Sequence, residues 1–164
     1  MNKTLAIIIC SLLVVVGLLT IWYWRTNPER QIRKTLTTMA ELGSSPAGES
    51  SIAKAVKSQK LGEYFSEDGF IEWPGDEVIP AGRWTGREQI NQQVLAAKNS
   101  ATYQVSVDDL IIETRRWNRS AAAEFTLVVR EGVNTWAWLG ATHLFKDGRR
   151  WSVTQLIFAP ILRR

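Results

Sequence analysis

Few side chains in this sequence belong to the types that do acid–base chemistry. His143 is its one imidazole, and an imidazole becomes a general base only beside an acidic or nucleophilic partner that orients it. On a strand, parity groups it with Ala141 and Phe145, in a cavity or at a packed interface. Asp68 is the second candidate acid or base. It follows Glu67 where a helical pattern gives way to the strand-like Phe70-Ile71-Glu72-Trp73, a junction where solvated turn carboxylates are also common. No G-x-S-x-G elbow, P-loop or H-E-x-x-H helix accompanies them, so neither hydrolase nor nucleotide-binding motifs are present.

Metal chemistry has even less to work with. One Cys and one His cannot supply the three or four nitrogen and sulfur ligands of a zinc site, and one Cys cannot form an internal disulfide. The acidic run Glu63, Glu67, Asp68, Glu72, Asp76 and Glu77 lacks the regular ligand spacing and Gly of a calcium loop. The sequence therefore implies no metal and no cofactor.

Aromatic residues are the stronger signal. Of 8 Trp, Trp73 with Trp136 and Trp138 would line a pocket suited to an apolar small molecule, or else fill an ordinary core. Arginine and tryptophan also alternate at turn-prone positions: Arg115, Arg116 and Arg119 flank Trp117, and Arg149 and Arg150 precede Trp151. A net charge of +4 is modest for a nucleic-acid binder. These residues read better as solubilising or membrane-facing hairpin ends, without nucleic acid.

The elements that must position these residues fall into two parts, an anchor over 1–25 and one domain over 26–164. The run Thr4 to Trp24 carries no charge and as a helix reaches about 32 Å, enough for a hydrocarbon core. A cleaved signal would have a shorter apolar core and small residues after it, whereas this run ends in Trp22, Tyr23 and Trp24, followed by Arg25, which suits a headgroup region. A retained single-pass anchor is expected. The short basic tail before it points to a bacterial inner membrane with the domain outside the cytoplasm, although Arg25, Arg30, Arg33 and Lys34 argue for the opposite orientation.

Beyond the anchor, Asn27-Pro28 starts a helix through Ile32, Leu36, Met39 and Leu42, and Ser51 caps a second through Ile52, Val56 and Leu61. Phe70 to Trp73 is a short strand stopped by Pro74-Gly75, and Thr85-Gly86-Arg87-Glu88 opens a third helix through Ile90, Val94 and Leu95. Four strand-like runs follow: Tyr103 to Glu113, Ala121 to Arg130, Thr135 to Phe145 and Trp151 to Ala159. About three helices followed by a meander is an α+β arrangement. The run over 135–145 is apolar on both alternations, and helices can cover only one face of so small a sheet. The open sheet face is then left for a second copy in a homodimer, a protein partner or the membrane.

The stretch from Tyr64 to Pro74, followed by Arg83-Trp84-Thr85-Gly86-Arg87-Glu88-Gln89-Ile90, resembles the helix, first strand and G-R-E-x-I third helix of the SnoaL-like, nuclear transport factor 2-like superfamily. The resemblance covers Glu29 to Ala159. It implies a cone, with a strongly bent antiparallel sheet wrapped around helices and a pocket at its open end. The superfamily includes isomerases and dehydratases as well as non-catalytic members, some of them membrane-anchored assembly factors. In its ketosteroid isomerase-like members an Asp just before the strand-ending Pro is the general base, and Trp73 stands at that position here. The resemblance thus implies a non-catalytic, membrane-anchored interaction or assembly domain with an aromatic-lined pocket. An isomerase- or dehydratase-like enzyme or a carrier for an apolar ligand is the alternative. Trp73 and Ile71 are expected to face the cone, with Glu72 outside.

Overall fold

A computed structural model describes residues 13–18, 27–75, 79–115 and 119–161. Residues 13–18 are helical with exposed side chains, and most of the expected anchor, including Trp22, Tyr23, Trp24 and Arg25, lies outside the described residues. Among the described residues no helix is long and apolar enough to cross a membrane.

The first helix, α1 (Pro28–Gly43), begins where the side chain of Asn27 accepts a hydrogen bond from the Glu29 N–H at 3.0 Å, with Pro in the first turn. Ile32, Leu36, Met39 and Ala40 form its buried stripe. In α2 (Ser51–Gly62) the cap is Ser50, whose Oγ accepts from the Ala53 N–H at 3.2 Å, so the helix starts one residue from the Ser51 that spacing suggested. Its expected apolar face is also corrected. Ile52 and Val56 are exposed, and Ser58, Leu61 and Gly62 are the buried residues. The reason is that α2 packs on the other helices rather than on the sheet, and it meets α3 (Arg87–Ser100) where Asn91 occupies the space a side chain at Gly62 would take.

Among the described residues six strands make one sheet: β1 (Phe65–Trp73), β2 (Gly82–Thr85), β3 (Gln104–Arg115), β4 (Ser120–Glu131), β5 (Asn134–Asp147) and β6 (Arg150–Pro160), in the order β2-β1-β6-β5-β4-β3. The chain thus has the α+β composition expected, and β3 to β6 form the meander. Strand β2 has no counterpart in the sequence reading. Strand β1 starts at Phe65 rather than Phe70, because it bulges between those residues while pairing parallel to β6. Glu67 and Asp68 lie in that bulge, exposed, and the Gly69 carbonyl accepts from the Gly86 N–H at 2.8 Å.

Burial alternates along β5. Trp138, Gly140, Thr142 and Leu144 are buried under the helices, while Leu139, Ala141, His143 and Phe145 are exposed on the opposite face. Gly140 has a packing role, since a Cβ there would lie 2.6 Å from the Phe125 ring of the neighbouring strand. The core comprises Ile32, Leu36, Phe65, Ile90, Leu144, Trp151 and Val153 among others, gathered at one end of the inner face. At that end Trp151 Nε1 donates to Gln31 Oε1 at 3.2 Å, tying the start of β6 to the first turn of α1.

A buried polar knot holds the helices together at the other end. Lys98 is fully buried, and its Nζ donates to the Ser44 carbonyl at 2.9 Å. Its own carbonyl accepts from Ser45 Oγ at 3.1 Å and Lys54 Nζ at 2.6 Å. Burial lowers the Lys98 pKa to about 8, with Glu49 opposing and Lys57 and Lys54 adding to the effect. Burial, reinforced by Glu49, pushes Tyr103 up to about 12. Unfolded Lys98 keeps its proton above pH 8 while the folded form loses it, so stability rises with pH in that window. For Tyr103 the unfolded chain ionises first, so stability falls above about pH 10. Urea titrations across pH are expected to show a climb from about pH 8 to about pH 10 and a decline beyond it. Lys98→Met should flatten the climb and Tyr103→Phe the decline, and an unchanged climb in Lys98→Met would reject the assignment.

Candidate ligand-binding cavity

The packed end of the inner face gives way to a cavity of about 590 Å³ between the sheet, α1 and α3. Alternation along β1 places Ile71 and Trp73 on this inner face, 7% and 8% exposed, and leaves Glu72 exposed on the other. Pro74, which has no N–H for the ladder, follows the last residue of the strand. Trp73 is held by two rings: Trp138 at 4.9 Å with a 46° interplanar angle, and Phe158 at 5.1 Å and 68°. Phe158 in turn meets Phe125 edge-on at 6.2 Å. The Trp73 Nε1 is buried with no acceptor within hydrogen-bonding distance, a state that costs about 1–3 kcal/mol.

Aliphatic walls complete the cavity. Leu36 and Met39 come from α1, Val94 and Ala97 from α3, and Leu127 and Val129 from β4. Trp136, paired with Val129, is 38% exposed and borders the cavity near the β4–β5 turn. Polar groups on the lining are few: Gln93, Tyr103, Glu131 and Asn134, the last two flanking that turn. The surface is therefore one for burying apolar area, with hydrogen-bonding groups near its rim.

The three tryptophans nominated from sequence thus share one cavity. The two nominated acid–base residues do not reach it. His143 lies on the outer face between Ala122 and Gln155, exposed, and its carbonyl accepts from Thr154 Oγ1 at 3.1 Å. The expectation of a cavity for it is corrected: β5 turns Thr142 and Leu144 inward, and parity sends His143 to the outer face. Asp68 is exposed in the β1 bulge and does not line the cavity. Among the described residues no group of three His, Cys, Asp or Glu is placed to hold a metal ion. Trp84, Met39 and Tyr103 line the cavity and were not singled out from sequence. The signal for Trp84 is the alternation of the short β2, which needs the pairing of Ile71 with Trp84 to be recognised.

No family model matches the sequence, and no curated protein does. The fold has many relatives among solved structures. A nuclear transport factor 2-like protein with a cystatin-like fold from Novosphingobium aromaticivorans superposes with a TM-score of 0.65 at 12% identity, covering 92% of this chain and 90% of that one. A Nostoc punctiforme protein of unknown function with a cystatin-like fold gives 0.60 at 15% identity, over 82% and 92%. A third, from N. aromaticivorans and provisionally named a scytalone dehydratase, gives 0.60 at 12% identity, over 83% and 94%. The chain has this α+β fold, with a curved six-stranded sheet and helices on one face.

Because one side of Trp73 packs on rings and the other borders open space, truncating it should cost less than emptying a closed core site. Trp73→Ala is expected to lose about 2–3 kcal/mol, and Trp73→Phe, which also removes the unanswered donor, about 1 kcal/mol or less. Urea denaturation measures both, and an unchanged midpoint in Trp73→Ala would contradict the packing described.

Proposed function

We propose that this chain is a membrane-tethered binding domain whose cone holds an apolar small molecule, with no acid–base role for Asp68 or His143. The observation that carries this reading is the cavity, whose volume of about 590 Å³ is walled by aliphatic and aromatic side chains from both sheet and helices. Ligand sites of about 300–1,000 Å³ typically have this composition. The tryptophan and phenylalanine faces favour a flat or ring-bearing ligand. The buried Trp73 N–H favours one with an acceptor that removes the cost of leaving that donor unpaired. The tether rests on the uncharged run Thr4 to Trp24 and its aromatic end, in a bacterial inner membrane with the domain on the outer side.

A dehydratase- or isomerase-like enzyme is the competing use of the same cavity. The name carried by one structural neighbour fits it, but at 12% identity that likeness speaks for fold alone. Trp73 at the position of the isomerase base, and the exposure of Asp68 and His143 away from the lining, favour binding over catalysis.

A second reading rests on the outer face. Leu139 and Phe145 of β5, Ile157 of β6 and Ile111 of β3 are all exposed there, from 37% to 63%. Ile157 pairs with Ala141, which also pairs with Glu124 beside Ile111. Such a stripe suits a second copy of the chain.

Full-length chain in neutral nanodiscs is expected to bind an environment-sensitive naphthalene dye at one site per chain. Leu127→Trp, which fills the cavity, should weaken binding at least about tenfold, while Asp68→Asn and His143→Ala should leave it unchanged. Equal binding by the filled variant would refute a cavity ligand. In the same preparation mass photometry should find dimers that Leu139→Lys dissociates, and monomers alone would remove the second reading without touching the first.

A further inference from the structure

The sheet topology gathers at one end of the cone the residues that sequence leaves scattered. Arg119 at the entry to β4, the β5–β6 turn and the first turns of α1 all lie at the packed end, opposite the cavity mouth. The Arg119 carbonyl accepts from the Lys146 N–H at 2.8 Å, which joins the entry of β4 to the end of β5, and the Trp151–Gln31 hydrogen bond joins the start of β6 to α1. Exposed Arg119, Arg149 and Arg150 sit on the turns, and Arg30, Arg33 and Lys34 are exposed along α1. Lys146 extends over the Trp151 ring at 5.7 Å. The acidic residues near them are Glu29, Asp147, Glu41, which borders one surface hollow with Arg30, Arg33 and Lys34, and Glu113, which is paired with Arg115 at 3.1 Å. Glu63, Glu67 and Asp68 lie on the far flank, where α2 passes into β1. The end is therefore divided, positive on the hairpins and α1 and negative beyond β6.

We infer that this positive half is a docking face for an anionic lipid surface, so that the cone rests closed end down with its mouth turned away from the bilayer. The inference rests on the reading of Thr4 to Trp24 as an anchor, because only Arg25, Thr26 and Asn27 separate that run from α1. Fully extended they span at most about 11 Å, close to a Debye length of about 8 Å at physiological ionic strength. Within that distance basic side chains are drawn to acidic headgroups. The negative flank tilts the domain so that Arg119 and the β5–β6 turn approach first. A ligand then enters the cavity from the aqueous side rather than from within the bilayer.

The test uses full-length chain with Cys10→Ser and one fluorophore, at Asp147→Cys on the closed end or at Val133→Cys on the opposite turn. It is reconstituted in phosphatidylcholine vesicles with or without phosphatidylglycerol, and quenching by a headgroup-labelled lipid is read. Added phosphatidylglycerol should raise quenching at position 147 at least about threefold, leave position 133 unchanged, and lose its effect at high salt. Arg119→Glu/Arg149→Glu/Arg150→Glu should abolish the gain, and the same three positions changed to Lys should keep it, with thermal midpoints reporting that both variants fold. Equal quenching at the two positions, or a gain that survives charge reversal, overturns the proposal. So does charge-dependent binding of an oligonucleotide with no response to phosphatidylglycerol, which would make nucleic acid the occupant. Release of the chain from both vesicle types by alkaline carbonate overturns it through the anchor, whereas retention without a lipid-charge response overturns the docking face alone.

Discussion

A sheet has two faces, and this chain places two helices against one of them. That constraint governs the rest of the structure. Helices α1 and α3 lie against the inner face, α2 packs on them as a third body, and nothing in the described chain covers the outer face. Each strand is therefore read twice: its inward residues build the core or the cavity, and its outward residues form a surface whose apolar stripe is large for an exposed face. Strand β5 shows both uses within a few residues, with Leu144 2% exposed and the adjacent Phe145 50%.

The inner face is itself divided. At its closed end Ile32, Leu144 and Val153 are buried to within 2% of complete, and Phe65, also fully buried, lies where that packing meets the cavity. Toward the mouth the helices and the sheet border the cavity rather than each other. The cluster of Trp73, Trp138, Phe158 and Phe125 stands at the boundary. Gly140 permits that boundary, because the Phe125 ring lies where any side chain on the neighbouring strand would have to go. A cavity can persist there because the rings around it are braced by one another rather than by contents.

Much of this was legible in the residues. Asn27-Pro28 announced α1, the four strand-like runs matched β3 to β6, and the resemblance that turned Trp73 toward the cone gave the inward set of β1 through parity. Parity also grouped His143 correctly with Ala141 and Phe145, but it could not say which group faces the helices, since both alternations of β5 are apolar. Apolar spacing misled for α2, because Ile52 and Val56 look like a core stripe while the helix meets its neighbours through Ser58, Leu61 and Gly62. Strand β2 is four residues long and gains its identity only from its pairing with β1, so no local pattern revealed it. The burial of Lys98 was equally hidden: its partners are the Ser44 carbonyl, the Ser45 hydroxyl and the Lys54 ammonium, all more than forty residues away, which composition and spacing do not encode.

The parallel pairing of β1 with β6 has a consequence for how the chain reaches its fold. Phe70 sits beside Gln155, 85 residues later, and β6 is the last strand among the described residues. Helices α1 to α3 and the successive hairpins from β3 onward can form from neighbouring residues as they emerge, but the seam between β1 and β6 cannot close until β6 itself has been made. At roughly 5–20 residues per second that interval lasts several seconds. During it the β1–β2 ribbon presents an unpaired edge, and Ile71 and Trp73 have no floor beneath them. The order of assembly is thus set by topology: local pieces first, then one long-range closure that completes the sheet and forms the cavity together.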